Sequence, residues 1–513
     1  MQAGVEGVNV ARDLVRSVSS RSNDTALWYD DGDASWSYQR LGAEAGAVAS
    51  WLLDRGVQPG DRVVLLMGSW PEHVAAWYGI LAAGAVVVDV NYIVQDEEWR
   101  YVLHDSEPTA IVGGAPFRER LDPLATEAGA VPVLWAESCG RGWPDHAEVP
   151  LHPVGRGSDD LAVIAYTSGT TGLPKGVMHT HGKIDGQLDL LADVQGYRAG
   201  DVLYQAIPLF ALPGYLPLVA SATRAGAAVF LADRFDAAGL SRASRRFDFT
   251  YLTLSAPMLD AIMRLPEHEQ PVFPALRLLT AGGAPLQPEI RARFEALVGV
   301  PVSQGYGMTE MLGVLVADYE GDAPWGSCGR VRPLGSRVFV VLDDDDTPLG
   351  ADEVGEFAVH RSCVMAGYWR RPDLYAEQFT GDWFRTGDIG KVDAAGYVFV
   401  LDRKKDVIIR GGFNIYSAEI ERVLSEHAAV AEATVVGAPD ERLGEVPVAF
   451  IVPRDPTCDT DELAEELLSV TGARLGSLKT PTWIRVVDAD DLPRNALRKV
   501  QKRELRDSLR ASV

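Results

Sequence analysis

Residues 38–112 alternate between two hydrophobic periodicities, and that alternation restricts the chain to a small set of folds. Residues 38–55 carry apolar side chains at helical spacing, and 61–67 form a β-branched run after the turn signal Gln58-Pro59-Gly60. Residues 71–81 read as helix, 85–90 as strand, 95–103 as helix and 110–112 as strand. Strands separated by helices predict parallel α/β sheets, because parallel neighbours need a crossover connection. The apolar stretch 74–88 is short of the roughly 20 residues of a membrane span. It contains Gly79 and Gly84 and ends at Asp89, so it reads as a buried helix followed by a strand.

A chain of 513 residues is too long for one core, so two or more domains are expected. Residues 139–158 are polar and rich in Pro and Gly, as a surface connection would be. A second α/β series runs through 227–231 and 276–280, and from about 336 short strands predominate (338–342, 356–360, 397–401). The charged cluster Asp402-Arg403-Lys404-Lys405-Asp406 lies between two apolar strands. It reads as a hinge or as a solvated hairpin turn. After it come a helix at 417–426, strands at 433–437 and 446–452, and helices at 460–468 and 500–510. Ser417, followed by Ile420 and Glu421, suggests a capped helix start. The expected fold is therefore α/β. A large N-terminal domain, 1–401, holds α/β sheets and a β-rich subdomain. A hinge at 402–406 joins it to a small mobile α+β C-terminal domain, 407–513.

Composition excludes several classes. The 47% hydrophobic and 23% charged content is that of a soluble globular protein. A net charge of -24 repels nucleic acid and acidic membranes, so neither is expected as a partner. It also repels polyphosphates, which then need local donors. Cys139, Cys328, Cys363 and Cys458 are scattered without metal-ligand spacing, as free thiols of a reducing cytoplasm would be. The first residues lack the basic and apolar regions of a signal peptide, and a cytoplasmic location is expected.

The segment Tyr166-Thr167-Ser168-Gly169-Thr170-Thr171-Gly172-Leu173-Pro174-Lys175-Gly176 follows an apolar strand, 161–165. Its glycines let backbone N–H groups close on an anion, its hydroxyls add donors, and Lys175 adds a mobile charge. This is the composition of a polyphosphate cradle. It is not a Walker A loop, since Pro174 precedes the lysine and Gly176 follows it.

This segment strongly resembles the phosphate loop of the adenylate-forming superfamily, which holds acyl-CoA synthetases, adenylation domains and luciferase. Further motifs follow in the family's order over nearly the whole chain. Gln304-Gly305-Tyr306-Gly307-Met308-Thr309-Glu310 looks like the adenine-site motif. The resemblance implies that Tyr306 stacks on adenine, Thr309 contacts phosphate and Glu310 holds Mg²⁺, with Gly307 permitting close approach. Ala281-Gly282-Gly283-Ala284-Pro285-Leu286 is similar to the segment lining the nucleotide and acyl pocket. Phe210, Ala211, Gly305 and Met308 are the expected acyl-pocket residues. Trp383-Phe384-Arg385-Thr386-Gly387-Asp388 resembles the ribose motif, so Asp388 is expected to accept from both ribose hydroxyls. Arg403 aligns with an arginine on the same ribose, and Lys405 with the family's hinge position. Ile408-Ile409-Arg410-Gly411-Gly412-Phe413-Asn414 resembles the loop beside the pantetheine tunnel, where Gly411 and Gly412 let a thin thiol arm pass.

The last motif departs from the pattern. Pro493-Arg494-Asn495-Ala496-Leu497-Arg498-Lys499 places Lys499 where the family has the lysine bridging the carboxylate and the α-phosphate. Glycine precedes that lysine in the family, and Arg498 stands here. A bulky cation in place of glycine is expected to misplace Lys499 and impair adenylation. The chain would then mainly convert a preformed acyl-AMP into a thioester. A second departure puts Ala211 where many relatives have a histidine gating the acyl pocket, which makes room for a bulky acid. The same segment, residues 207–215, has no Phe-Asp pair to hold an α-amino group.

The expected activity is that of an AMP-forming acyl-CoA ligase. It uses ATP, Mg²⁺ and CoA, passes through acyl-AMP, and alternates domains about Lys405. Lys499, Thr167, Lys175, Gly411 and Gly412 are the expected catalytic positions. The nearest alternatives are a stand-alone enzyme loading a carrier protein and a non-catalytic acyl-adenylate-binding protein. An upstream adenylating enzyme and a second copy of the chain stay open as partners.

Overall fold

The computed structural model describes residues 8–29, 32–143, 149–167, 174–282, 288–313, 316–318, 321–331, 337–494 and 500–511. Four sheets organise them, and the two largest are the α/β sheets expected from the alternating periodicities. The first is ordered, by strand, Gly367–Tyr368, Lys175–Thr180, Leu161–Thr167, Val86–Asp89, Arg62–Leu66, Ala110–Gly114 and Val133–Ala136. Its centre is parallel, with Val63 opposite both Val87 and Ala110, and Val87 opposite Val163. The helix Pro71–Ala82 is buried on every face, and apart from Glu72 and His73 its sequence is apolar all round. Pro71 opens that helix at a position that needs no N–H donor, and Gly84 (φ +78°) turns the chain into the next strand.

The second sheet runs Arg330–Val331, Val316–Ala317, Val302–Tyr306, Leu278–Gly282, Tyr251–Ser255, Val202–Gln205, Ala228–Leu231, Thr25–Tyr29 and Ala34–Ser37. Its core pairings are also parallel. The strands expected after about 336 form a third, antiparallel sheet, in which Trp383–Val392 lies between Gly355–His360 and Val398–Arg403. A fourth sheet, built on Val430–Asp440 and Gly444–Pro453, carries the helices Ser417–Ser425, Thr460–Leu475 and Lys502–Ala511.

Two local readings change. The strand Val398–Arg403 runs through Asp402 and Arg403, so only Lys404–Asp406 forms a separate turn. The side chain of the N-cap residue, Tyr416, makes no capping bond to the helix Ser417–Ser425. Asp402 supplies the acceptor instead, taking the Ser417 hydroxyl at 2.8 Å and the Ala418 N–H at 3.4 Å. Glu421 takes no part in the cap and accepts from the Val435 N–H at 2.7 Å. A carboxylate from the preceding strand suits the positive end of a helix as well as a local serine does.

Candidate active site

The glycine- and hydroxyl-rich segment connects two antiparallel strands, with Tyr166 opposite Gly176 and Thr167 opposite Lys175. A strand–loop–strand arrangement differs from the strand–loop–helix of a Walker loop. Ser168, Gly169, Thr170, Thr171 and Gly172 lie outside the described residues. Gly176 is required by close packing, since a Cβ there would approach Ile164 Cγ2 to 2.8 Å and Trp369 Cβ to 3.1 Å. The Tyr166 hydroxyl donates to Asp105 at 2.7 Å, and burial pushes its pKa up, so it stays a neutral donor.

Facing this hairpin, the strand Val302–Tyr306 runs into a turn carrying Thr309 and Glu310. Leu312 closes that turn with φ +60°, a costly conformation for a bulky residue. It is held by bonds from the Leu312 N–H to the Thr309 carbonyl at 3.1 Å and from the Gly313 N–H to the Met308 carbonyl at 3.0 Å. His179, fully buried on the hairpin's second strand, lies 2.9 Å through Nε2 from the Thr309 carbonyl. Burial lowers its pKa to about 3, so the ring is neutral and Nε2–H is the donor.

Glu310 accepts from the Tyr368 hydroxyl at 3.0 Å, and the Lys175 ammonium lies 5.3 Å from the centre of the Tyr368 ring. Tyr368 arrives because Gly367–Tyr368 returns from the third sheet to pair with the hairpin, opposite Val177. Burial raises the Glu310 pKa, an environment in which a bound cation would favour the carboxylate. No cluster of three or more His, Cys, Asp or Glu exists among the described residues. One carboxylate fits Mg²⁺ when phosphates and water supply the remaining oxygens.

Asp388 pairs with Arg403 across the third sheet. It accepts from the Tyr306 hydroxyl at 2.8 Å and from Arg403 Nε at 2.8 Å on its other oxygen. The three residues expected around a nucleoside are thus in direct contact. Tyr306, the expected adenine platform, is largely buried, with its ring edge-on to Phe357 at 5.6 Å between centroids. Gly305 pairs with Ala317 beside it, Gly307 is exposed, and Met308 packs in the same cluster as Tyr306 and Tyr368.

On the acyl side, Phe210 meets Tyr92 edge-on at 5.6 Å. The Ala211 carbonyl accepts from the Gly214 and Tyr215 N–H groups at 2.8 and 3.1 Å, leading into a π-helical turn at Tyr215–Ala220. This loop converges on the Thr309 turn, for a Cβ on Gly313 would lie 3.5 Å from Pro213 Cα. A side chain at Gly282 would meet nothing within 4 Å, so that strand end borders open space. Gly283 and Ala284 lie outside the described residues.

Gly411 and Gly412 form the tip of the hairpin made by Ile408–Arg410 and Phe413–Ile415, with φ +59° and +86°. Two successive left-handed residues make a tight hairpin turn that glycine adopts without strain. The tip is exposed, as are Ile409 and Phe413, so this arrangement does not lay Gly411 and Gly412 onto the Tyr306–Asp388 cluster. Lys405 occupies the Lys404–Asp406 turn, and Lys499 lies outside the described residues. Sequence reasoning missed Tyr368 and His179. The hydroxyl of Tyr368, in Gly367-Tyr368-Trp369, carried no spacing signal, and His179 reads as one more residue of an apolar strand.

His179 gives a pH prediction. Its folded pKa of about 3 lies below the ordinary value of about 6.5. Below about pH 6.5 the unfolded chain takes up a proton that the folded chain refuses. Stability is therefore full above that pH and falls through the window down to about 3, by at most about 1.4 kcal/mol per pH unit. A His179→Leu variant should show a flatter acid limb between about pH 6 and 4. Losing the Thr309 tether should also raise KM for ATP about fivefold, the scale of one hydrogen bond. Chemical unfolding at stepped pH and ATP titrations check both, and an unchanged acid slope would remove His179 from the account.

Comparison with known proteins shows the family. The AMP-binding enzyme family matches residues 14–369, and the AMP-binding enzyme C-terminal domain matches 419–499. The long-chain-fatty-acid–CoA ligase FadD13 of Mycobacterium tuberculosis is 32% identical over 492 residues, 94% of each chain. The anthranilate CoA ligase AuaEII, solved with anthranoyl-AMP, superposes with a TM-score of 0.89 at 25% identity, covering 99% of this chain and 98% of that one. ATP-bound MatB from Rhodopseudomonas palustris gives 0.88 at 30% identity, covering 98% and 99% of the two chains, whereas the apo form of MatB gives 0.77. The chain belongs to the AMP-binding enzyme family of the adenylate-forming superfamily and, within it, is most like the acyl-CoA ligases.

Proposed function

We propose that this protein is an acyl-CoA ligase that joins a carboxylic acid to CoA in two steps. The acid's carboxylate attacks the α-phosphate of ATP, giving acyl-AMP and pyrophosphate. The CoA thiol then attacks the acyl carbon and AMP leaves. The observation that carries this reading is the convergence of Tyr306, Asp388 and Arg403 with the Glu310–Tyr368–Lys175 group.

In the first step Asp388 and Arg403 orient the ribose, and Tyr306 fixes the adenine side. Thr167, Lys175, Thr309 and Lys499 stabilise charge on the phosphates. Glu310 would hold Mg²⁺, which would supply neutralisation of the phosphates' negative charge. In the second step the thiol, with a pKa near 8.5, supplies some thiolate without a dedicated base. The Gly411–Gly412 tip admits the thiol arm once the C-terminal unit has turned about Lys405. FadD13 is named for long-chain fatty acids and AuaEII for anthranilate, so aliphatic and aromatic acids both belong in a substrate panel. Ala211 leaves room for a bulky acid. Incubating the panel with ATP and Mg²⁺, with and without CoA, and following pyrophosphate and AMP tests the reading. Absence of any CoA-dependent AMP release would reject it, and thioester formed only on a carrier protein would favour a loading enzyme.

A second reading rests on Arg498, which stands before Lys499 where the family has glycine. A displacement of Lys499 by about 1 Å costs about 100-fold in rate. Adenylation is then slow, and a preformed acyl-AMP is the efficient substrate. Arg498→Gly should raise the pyrophosphate burst by up to about 100-fold and leave thioesterification of synthetic acyl-AMP unchanged. A fast wild-type burst without CoA would discard this second reading and keep the first.

A further inference from the structure

We propose that Asp402 is a latch that holds the C-terminal unit in the adenylation arrangement by capping the helix Ser417–Ser425 from the far side of the hinge. The proposal rests on the two-step reading above and concerns what biases the enzyme between the steps.

Asp402 belongs to the third sheet, where it pairs with Ile389 on Trp383–Val392. Its carboxylate crosses Lys404–Asp406 to accept the Ser417 hydroxyl at 2.8 Å and the Ala418 N–H at 3.4 Å, as well as the Ser417 N–H. Asp402 is 7% exposed and Ser417 0%, so water does not replace these bonds. The helix Lys502–Ala511 braces the same junction. Lys502 donates to the Ser417 hydroxyl at 2.7 Å and pairs with Glu421 at 2.8 Å. Arg506 donates to the Lys405 carbonyl at 2.9 Å and pairs with Asp406 at 2.6 Å. Among the described residues, Arg454 also reaches Asp260, on a helix packed against the second sheet, at a longer 3.8 Å.

Rotation about Lys405 carries Ser417 away while Asp402 stays in its ladder. The first turn of the helix then loses its acceptor, Lys502 faces one carboxylate fewer, and the Lys405 carbonyl turns from Arg506. The latched arrangement is the adenylation one on two grounds. The fold superposes better on ATP-bound MatB than on its apo form, and the Gly411–Gly412 tip stands in solvent. Asp402 is a positioning residue in this account, since it acts through the helix and touches no substrate.

The test compares wild type with Asp402→Ala and Ser417→Ala in three measurements. These are the pyrophosphate burst from acid, ATP and Mg²⁺, single-turnover thioesterification of synthetic acyl-AMP with CoA, and limited trypsin cleavage at Arg403–Lys405 in the ligand-free protein. The expected result is a slower burst with faster thioesterification. Their ratio should shift about fivefold or more, the scale of a lost helix cap, and the hinge should be cut correspondingly faster. Equal loss in both half-reactions, as a misfolded lid would give, overturns the latch. An unchanged ratio with unchanged cleavage does the same. A wild type without ligase activity whose two variants are still cut faster would sink the ligase reading and leave the latch standing.

Discussion

Lys499→Ala is expected to slow pyrophosphate release from acid and ATP by about 10²- to 10³-fold, while thioesterification of a supplied acyl-AMP stays within about threefold of wild type. The split follows from where charge develops. In the first half-reaction negative charge builds on the α-phosphate as the carboxylate attacks, and a positioned ammonium lowers that barrier. In the second, charge builds on the acyl oxygen, after the small unit has turned. The two activities must be assayed separately, since a coupled assay reports only the slower step. A lid that merely misfolds would lose both. Equal loss in both half-reactions would therefore reject the assignment of Lys499 to adenylation.

Asp388→Ala should be nearly as severe, lowering kcat/KM for ATP by about 100-fold. The carboxylate is 3% exposed and serves two partners at once, the Tyr306 hydroxyl and Arg403 Nε. Removing it strands a buried phenol, which costs about 1–3 kcal/mol, and frees a guanidinium from its place. Arg403 is 43% exposed, so its own loss is softened by water. Asp388→Asn keeps an acceptor for Tyr306 but loses the charge facing Arg403, so it should fall between alanine and wild type. Tyr306→Phe removes only the hydroxyl and separates the two contributions. ATP affinity by calorimetry, set beside the burst rate, distinguishes weak binding from misplacement. Unchanged ATP affinity and rate in Asp388→Ala would dismiss Asp388 from the nucleotide site.

The parts of the fold legible beforehand share one property, that their pattern is local. Helix and strand periodicity in 38–112 requires only neighbours along the chain, and the structure places Tyr38–Asp54, Arg62–Leu66, Pro71–Ala82 and Val86–Asp89 there in order. The contiguous segments 166–176, 304–310 and 383–388 were visible as chemistry for the same reason. Ser417 shows the limit. It was read as a capped helix start, and the sequence did not show that the acceptor is Asp402, because a cap needs an oxygen in place and not a particular sequence offset. The charged cluster at 402–406 likewise looked uniform in composition, yet Asp402 is buried in a ladder and Lys404 is half-exposed.

By itself the sequence determined the family, the alternating α/β plan and the residue types that can hold a nucleotide, since these are written in short ordered segments. Only the tertiary structure decided which of those residues meet. Tyr306, Asp388 and Arg403 lie on strands of two different sheets, and Tyr368 reaches Glu310 by a strand that returns to the first sheet. His179 became a tether for Thr309 only when the hairpin packed against that turn. Such contacts depend on sheet order and on burial that excludes water, and neither is encoded at any fixed spacing along the chain.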